Sequence, residues 1–446
     1  MLKAVSPIDG RYKDLTKELQ EIFSEYGMQK FRTKVEIKYL LFLSNKKIIR
    51  KFSNNEKKLL EKIYEKFNEH DSKEISTIEK TTNHDVKAIE YFIRKKLQKS
   101  SLKNIESFVH FGLTSEDVNN LSNSLQLEKG LGLYITDNLG LLKKLKEISR
   151  KEKKTAMLGH THGQPASPTT FGKEIAVFAS RMQESLKKLK EMKLPGKLNS
   201  ATGNFNSFVI AFPEKNWIKL SKEFVESFGF ENKILTTQII PHDSISRILN
   251  EMILFNNIII DLNLDLWLYI SKDYVSQKKI GTETGSSVMP HKINPIQFEN
   301  SEGNLLLANN LIGFLSSRLQ KSRMQRDLSD STIKRNYGMA FGYSLIGIKM
   351  CINGLNRIEP NNKKMIEDLN KHPEVLSEAI QTIMRKQGNN NAYEELKEFS
   401  RGKKLSLEEL REFIKKSSLS KKEKQKLLKL KPETYLGKAI ELAEKI

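Results

Sequence analysis

A run of about 36 residues, Ser244 to Lys279, carries apolar side chains nearly all round a helical projection, with only sparse charges. Such a helix cannot face water along its length, so it predicts a large helical bundle, with copies of the same chain as one source of cover. A chain of 446 residues also exceeds what one compact core usually holds, so two or three domains are expected. The run does not read as a membrane span, because its most apolar part, Phe255 to Leu268, is broken by Asn256, Asn257, Asp261, Asn263 and Asp265.

Most of the remaining chain follows the same helical period. From Leu15 to Arg50 apolar residues recur near every 3.6 positions, with breaks. Asn83-His84-Asp85 stands just ahead of another helical run, where Asn83 or Asp85 suits a helix cap. Thr114-Ser115-Glu116-Asp117 precedes a long helical pattern, predicted to be interrupted at Gly130 and Gly132, and a capping box explains it locally. Gly159, Gly163 and Pro165 force a turn around His160-Thr161-His162. Two histidines two apart on an extended segment point to opposite faces, a poor arrangement for gripping one metal. The Gly- and Asn-rich piece GKLNSATGNFNSFVIAF, starting at Gly196, is where the only short strands are expected. Beyond Asn356 come shorter, lysine-rich amphipathic helices.

Residues Gly281 to Asn304, GTETGSSVMPHKINPIQFENSEGN, gather serines, a histidine, a lysine and two glutamates in two dozen positions. Gly281, Gly285, Ser286-Ser287, Pro290 and Pro295 exclude a helix interior from the first half, which is expected to be a mobile loop. The pattern then turns helical at Asn294-Pro295, with proline at the first position. A helix N-terminus with Lys292 beside it suits a carboxylate or phosphate. A serine there could lose its proton more readily and serve as a base. A polar surface loop without chemistry has the same composition.

Composition removes several classes. Hydrophobic residues make up 38% and charged residues 29%, as in a globular protein, and the start, MLKAVSPIDGRY, has no apolar signal region. One cysteine, Cys351, excludes an internal disulfide and fits a cytoplasmic location. The net charge of +22 invites nucleic acid, yet the lysines are scattered and neither zinc-finger spacing nor an RNP-like segment occurs, so no nucleic-acid partner is expected. A basic chain still attracts a polyanionic small substrate.

Four blocks in order, the Asn83-His84-Asp85 trio, TSED from Thr114, THGQPASP from Thr161 and GSSVMPHKINP from Gly285, resemble the site regions of the fumarase/aspartase superfamily. TTNHDVKAIE, TTQIIPHD, RDLSDSTIKRN and AVSPIDGRY are similar to the adenylosuccinate lyase branch, longer bacterial type. His160 stands where that branch commonly has arginine. The resemblance implies an all-α, three-domain fold with a central bundle of long helices, divided at 1–103, 104–355 and 356–446. It also implies a cytoplasmic homotetramer with active sites shared between subunits, no cofactor, no metal and no membrane.

By that resemblance the reaction is β-elimination of fumarate from adenylosuccinate and from succinylaminoimidazole carboxamide ribotide, in purine synthesis. Ser286 would be the base and His162 the acid, with Lys292 and Asn294 on the carboxylates. Glu299 would orient a histidine, although an ordinary first-turn acid looks the same. His84 and His110 would line the site, a capped or buried structural histidine being the alternative for each. Arg11, Tyr12, Arg326, Ser331 and Arg335 would bind the phosphate and base region. Asn83, Asp85, Gln238, Ser287, Asn300, Thr114 and Ser115 would supply other polar contacts. Argininosuccinate lyase, a helical RNA-binding protein and a histidine-dependent metal hydrolase are the competing readings.

Overall fold

The computed structural model describes residues 2–278, 281, 288–289, 291–402 and 405–446. Helices dominate them, and three two-stranded sheets complete the described structure. The chain separates into two compact units. One comprises Met1–Asn138, Ser185–Asn257 and Gly303–Lys349, the other Leu139–Glu184, Ile258–Glu302 and Met350–Ile446.

In the first unit, α1 (Glu25–Asn45) buries Val35, Ile37, Tyr39, Leu40 and Leu43. Two further helices, α2 (Glu69–Thr82) and α3 (Asp85–Gln98), meet at the Asn83-His84-Asp85 trio. The cap differs from the one predicted. His84 is the N-cap of α3, its Nδ1 accepting from the Lys87 N–H at 3.2 Å, while Asn83 closes α2 in the left-handed region that asparagine tolerates.

Helix α4 (Ser115–Lys151) runs unbroken through Gly130 and Gly132, against the predicted interruption. Gly130 has a packing reason: a Cβ there would lie 2.6 Å from the Phe23 ring, which stacks on Phe341 at 5.0 Å between centroids. Packing along a helix of 37 residues outweighs a cost of about 1 kcal/mol per glycine.

The strands also fall elsewhere than expected. Ala156–Thr161 (β1) and Gln164–Thr170 (β2) form an antiparallel hairpin, with Thr161 opposite Gln164. Its two-residue turn, His162-Gly163, has φ of 53° and 73°, the paired positive values that match the strand twist. From the Gly- and Asn-rich piece only Gly196 joins a strand, Pro195–Gly196 (β3) beside Glu231–Asn232 (β4), and its remainder contains the short helix Asn206–Ala211. That piece lacks the β-branched alternation that holds a longer strand.

After α5 (Phe171–Glu191), the long apolar run forms α6 (Asp243–Ser271) and stops short of the predicted end, because Asp273 turns at φ 59° and Val275–Gln277 (β5) pairs with Ile358–Pro360 (β6). Lys279 lies outside the described residues. By length and composition α6 is apolar enough to cross a membrane. Its polar side chains are nonetheless partnered within the protein. Asn256 accepts from Tyr134 at 2.8 Å and donates to Asn309 at 3.0 Å, and Asn263 donates to Ser301 at 2.9 Å. Such buried, hydrogen-bonded amides belong to a helix packed in protein.

Three helices follow: α7 (Ile296–Leu319), α8 (Ser329–Lys334) and α9 (Tyr337–Leu355). The start of α7 is one residue later than predicted, with the Pro295 carbonyl accepting from Phe298 and Glu299. Short helices from Asn362 onward bury Leu376, Ile380, Met384, Leu396, Leu410, Ile414 and Leu427 against one another.

The two α4 glycines should respond oppositely to alanine. Gly132 has nothing within 4 Å of its would-be Cβ, so Gly132→Ala should stabilise by about 0.5–1 kcal/mol. Gly130→Ala should destabilise by about 1–3 kcal/mol through overpacking, both read by denaturant unfolding.

Candidate active site

The first unit gathers a polar group around Arg326. Its Nη1 donates to Gln238 Oε1 at 2.9 Å and its Nη2 to Ser331 Oγ at 3.1 Å, while Gln238 Nε2 donates to the Ala201 carbonyl at 3.1 Å. Glu116, fully buried in the first turn of α4, has Oε2 3.6 Å from Arg326 Nη2 and Oε1 3.1 Å from Lys334 Nζ. Thr114 N–H donates to Asp117 Oδ2 at 2.9 Å, so the acid of the TSED block supplies the local cap, and Ser115 is the first residue of the helix.

A second group joins the trio to Arg335. Asp85 accepts from Arg32 Nη2 at 2.7 Å and lies 3.7 Å from Arg335 Nη2, and Arg335 Nη1 donates to Glu25 at 2.7 Å. Burial works against the Asp85 carboxylate, but Arg32 and the Val86 N–H outweigh it and hold its pKa below the ordinary value. A cavity of about 230 Å³ opens beside these residues, lined by Arg32, Asn119, Asn123, Ser331, Lys334 and Arg335 among others.

His110 is the most constrained of the expected histidines. Its backbone sits at φ 60°, its N–H donates to Glu36 Oε2 at 3.2 Å and its Nδ1 lies 2.6 Å from Glu36 Oε1. Burial disfavours the imidazolium, yet the field of Glu36, reinforced by Glu90 and Asp117, raises its pKa above the usual value. Exposed His84 spends its Nδ1 on the α3 cap. Arg11 is exposed and Tyr12 half-buried, in the turn that leads into the chain's first short helices.

In the second unit His162 is exposed at the hairpin turn, and only His160 lies in the strand. His160 Nε2 faces Lys272 Nζ at 3.3 Å, and burial together with Lys272 lowers the imidazole pKa. Lys292 is exposed, Asn294 and Asn300 are half-buried, and Glu299 accepts the Trp267 indole N–H at 3.1 Å. Ser286 and Ser287 lie outside the described residues, as does most of the stretch expected to be mobile, of which 281, 288–289 and the positions from 291 are described.

A family model described as "Lyase" matches residues 10–309, and one described as "Adenylosuccinate lyase C-terminal" matches 322–436. Adenylosuccinate lyase of Buchnera aphidicola from Schizaphis graminum is 47% identical over 453 aligned positions, covering 100% of this chain and 99% of the relative. Those of Haemophilus influenzae and Escherichia coli K12 are 45% and 43% identical, each over 100% of this chain and 99% of the relative. The chain belongs to the adenylosuccinate lyase family. It is therefore a lyase acting on small molecules. Two solved structures carry its all-α fold: a fumarate lyase from Mesorhizobium at TM-score 0.77 and 16% identity, covering 96% of this chain and 97% of that one, and the 3-carboxy-cis,cis-muconate lactonizing enzyme of Pseudomonas putida at 0.74 and 19%, covering 96% and 95%.

Sequence reasoning about this adenylosuccinate lyase family member missed the buried charges behind the expected contacts: Glu36, Arg32, Glu116 and Lys334. Glu116 and Lys334 sit inside the quoted motif blocks, but a capping box and a lysine-rich composition explained them without burial. Arg32 and Glu36 lie four residues apart on α1 among apolar positions, a signal that was legible.

Glu36→Gln should lower the His110 pKa, followed by NMR titration of labelled histidine. A raised folded pKa stabilises fully below the unfolded value and the gain fades as pH rises through the folded one. Wild type should therefore lose stability across that window, and the variant should show a smaller slope.

Proposed function

We propose that this chain cleaves adenylosuccinate to AMP and fumarate, and succinylaminoimidazole carboxamide ribotide to the carboxamide ribotide and fumarate, in purine nucleotide synthesis. What carries the reading is the end-to-end similarity, at 43% to 47% identity, to relatives named adenylosuccinate lyase. The chemistry needs a proton taken from the carbon beside a carboxylate, donors where negative charge develops, and a proton given to the departing nitrogen.

On this reading Ser286 takes the proton and His162 delivers one to the leaving amine. Lys292 and Asn294 hold the succinyl carboxylates near the N-terminus of α7, whose first N–H groups favour an anion. Glu299 orients a histidine through the oxygen that the bond from Trp267 leaves over. Arg326, Gln238, Ser331 and Arg335, with Arg11 and Tyr12, take the phosphate and base region. Asn83, His84, Asp85, His110, Thr114, Ser115, Ser287 and Asn300 complete the pocket.

The enzyme works as a cytoplasmic homotetramer with shared active sites. Support comes from apolar side chains left uncovered on the long helices: Leu254, Leu264, Trp267 and Leu268 on α6, and Leu306, Leu307 and Phe314 on α7. Exposure on this scale is what an interface between copies removes.

Mixing the purified chain with adenylosuccinate should change ultraviolet absorbance as fumarate forms; no change with this substrate, or turnover of argininosuccinate alone, would overturn the reading. Ser286→Ala should keep the tetramer, measured by light scattering, and lose at least about 10²-fold in kcat.

A further inference from the structure

The guanidinium of Arg326 and the carboxylate of Glu116 form only a loose ion pair, too long for a hydrogen bond. Glu116 Oε2 is buried and accepts no hydrogen bond, although Arg326 Nη2 lies 3.6 Å away, and Arg326 Nε is likewise buried without an acceptor. A charged fork beside a desolvated carboxylate ordinarily closes into a two-point pair, because both groups gain more from each other than from any neutral partner. Something must hold them apart.

Lys334 is placed to do so. Its buried ammonium sits 3.1 Å from Glu116 Oε1 and 2.8 Å from Asp330 Oδ2. Burial alone would discharge an amine, but Glu116 and Asp330 reverse that and raise its pKa, so it remains a cation. His242, also buried, is pushed down to about 3 by burial and by the charge of Lys334, and adds none of its own. Two carboxylates, Glu116 and Asp330, thus face two cations, Lys334 and Arg326, and the layer is neutral. With Lys334 satisfying Glu116 from its far oxygen, Arg326 stays on the neutral acceptors Gln238 and Ser331.

We propose that Lys334 is a positioning residue. By neutralising Glu116 from behind, it keeps the Arg326 guanidinium from collapsing onto that carboxylate and leaves it available to an anionic group of the substrate. The inference rests on the reading that Arg326 contacts the substrate. It identifies the buried charge, rather than the visible hydrogen bonds alone, as what sets the affinity of that contact.

Steady-state kinetics with adenylosuccinate on the full-length enzyme test it, using Lys334→Met, Glu116→Gln/Lys334→Met and Arg326→Ala, with melting curves recorded for each. Lys334→Met removes the competitor for Glu116, so KM should rise about tenfold while kcat stays within about threefold. In the double variant the carboxylate charge disappears too, and KM should return to within about threefold of wild type. A merely structural lysine predicts the reverse, a double variant at least as impaired as the single one, and that result would overturn the proposal. So would an unchanged KM in Lys334→Met. Should Lys334→Met not fold, the double variant decides by itself: KM near wild type supports the proposal and a raised KM sinks it. Arg326→Ala separates the two levels, because an unchanged KM there would refute the substrate contact itself, whatever Lys334 does.

Discussion

Two adjacent carboxylates at the first turn of one helix, Glu116 and Asp117, are both wholly removed from solvent, and the polar interior of the first unit depends on how they are matched. An isolated buried carboxylate carries a penalty of several kcal/mol, so each position dictates its surroundings. Asp117 accepts the N–H groups of Thr114, Asn199 and Ser200 and faces Lys197, itself fully buried, at 3.0 Å. The positive end of α4 adds to the stabilisation. One side chain thereby fixes both the start of a 37-residue helix and a distant loop.

From that loop the constraint passes toward the expected substrate contacts. Asn199 donates to Thr236 at 2.7 Å and to the Ile234 carbonyl at 3.2 Å, and Gln238, two residues beyond Thr236, is tied to Ala201 and receives Arg326. Gln238, one acceptor of Arg326, is thus linked to Asp117 through ordinary hydrogen bonds. Charge on the outside has no comparable effect. The excess of lysine is spread over exposed helix faces, where ion pairs are worth roughly 0–1 kcal/mol each and are screened by salt. A net charge of +22 therefore describes the surface and leaves the fold untouched.

How much of this could be read beforehand follows the range of each interaction. Helical periodicity is local, so the long apolar segment and the lysine-rich C-terminal helices were legible, and the motif blocks led to the right family. Gly130 misled because propensity gives a weak prior, overridden by the Phe23 ring that occupies the missing Cβ position. The hairpin at His162-Gly163 was legible as a turn, while its strands depend on pairing of segments that look unremarkable singly. Glu116 and Lys334 are 218 residues apart, and no local pattern announces a contact at that separation. His84 was expected in the chemistry, yet the trio's local cap is the part of its role visible in one chain.

The proposed division of labour has a physical logic. Contacts that hold the unreactive part of a substrate supply binding energy that can be spent on aligning the reacting atoms, provided the contacts themselves do not yield. Arg326, Ser331 and Gln238 meet that condition, since Arg326 is held by both of the others and Gln238 is in turn tied to the Ala201 carbonyl. His162 and Lys292 differ, lying exposed on a turn and a loop in the single chain. Proton transfer and carboxylate binding are most effective where water is excluded. On the tetrameric reading, the uncovered apolar faces of α6 and α7 answer both needs: burying them draws other chains in, and the same association encloses the groups that do the chemistry.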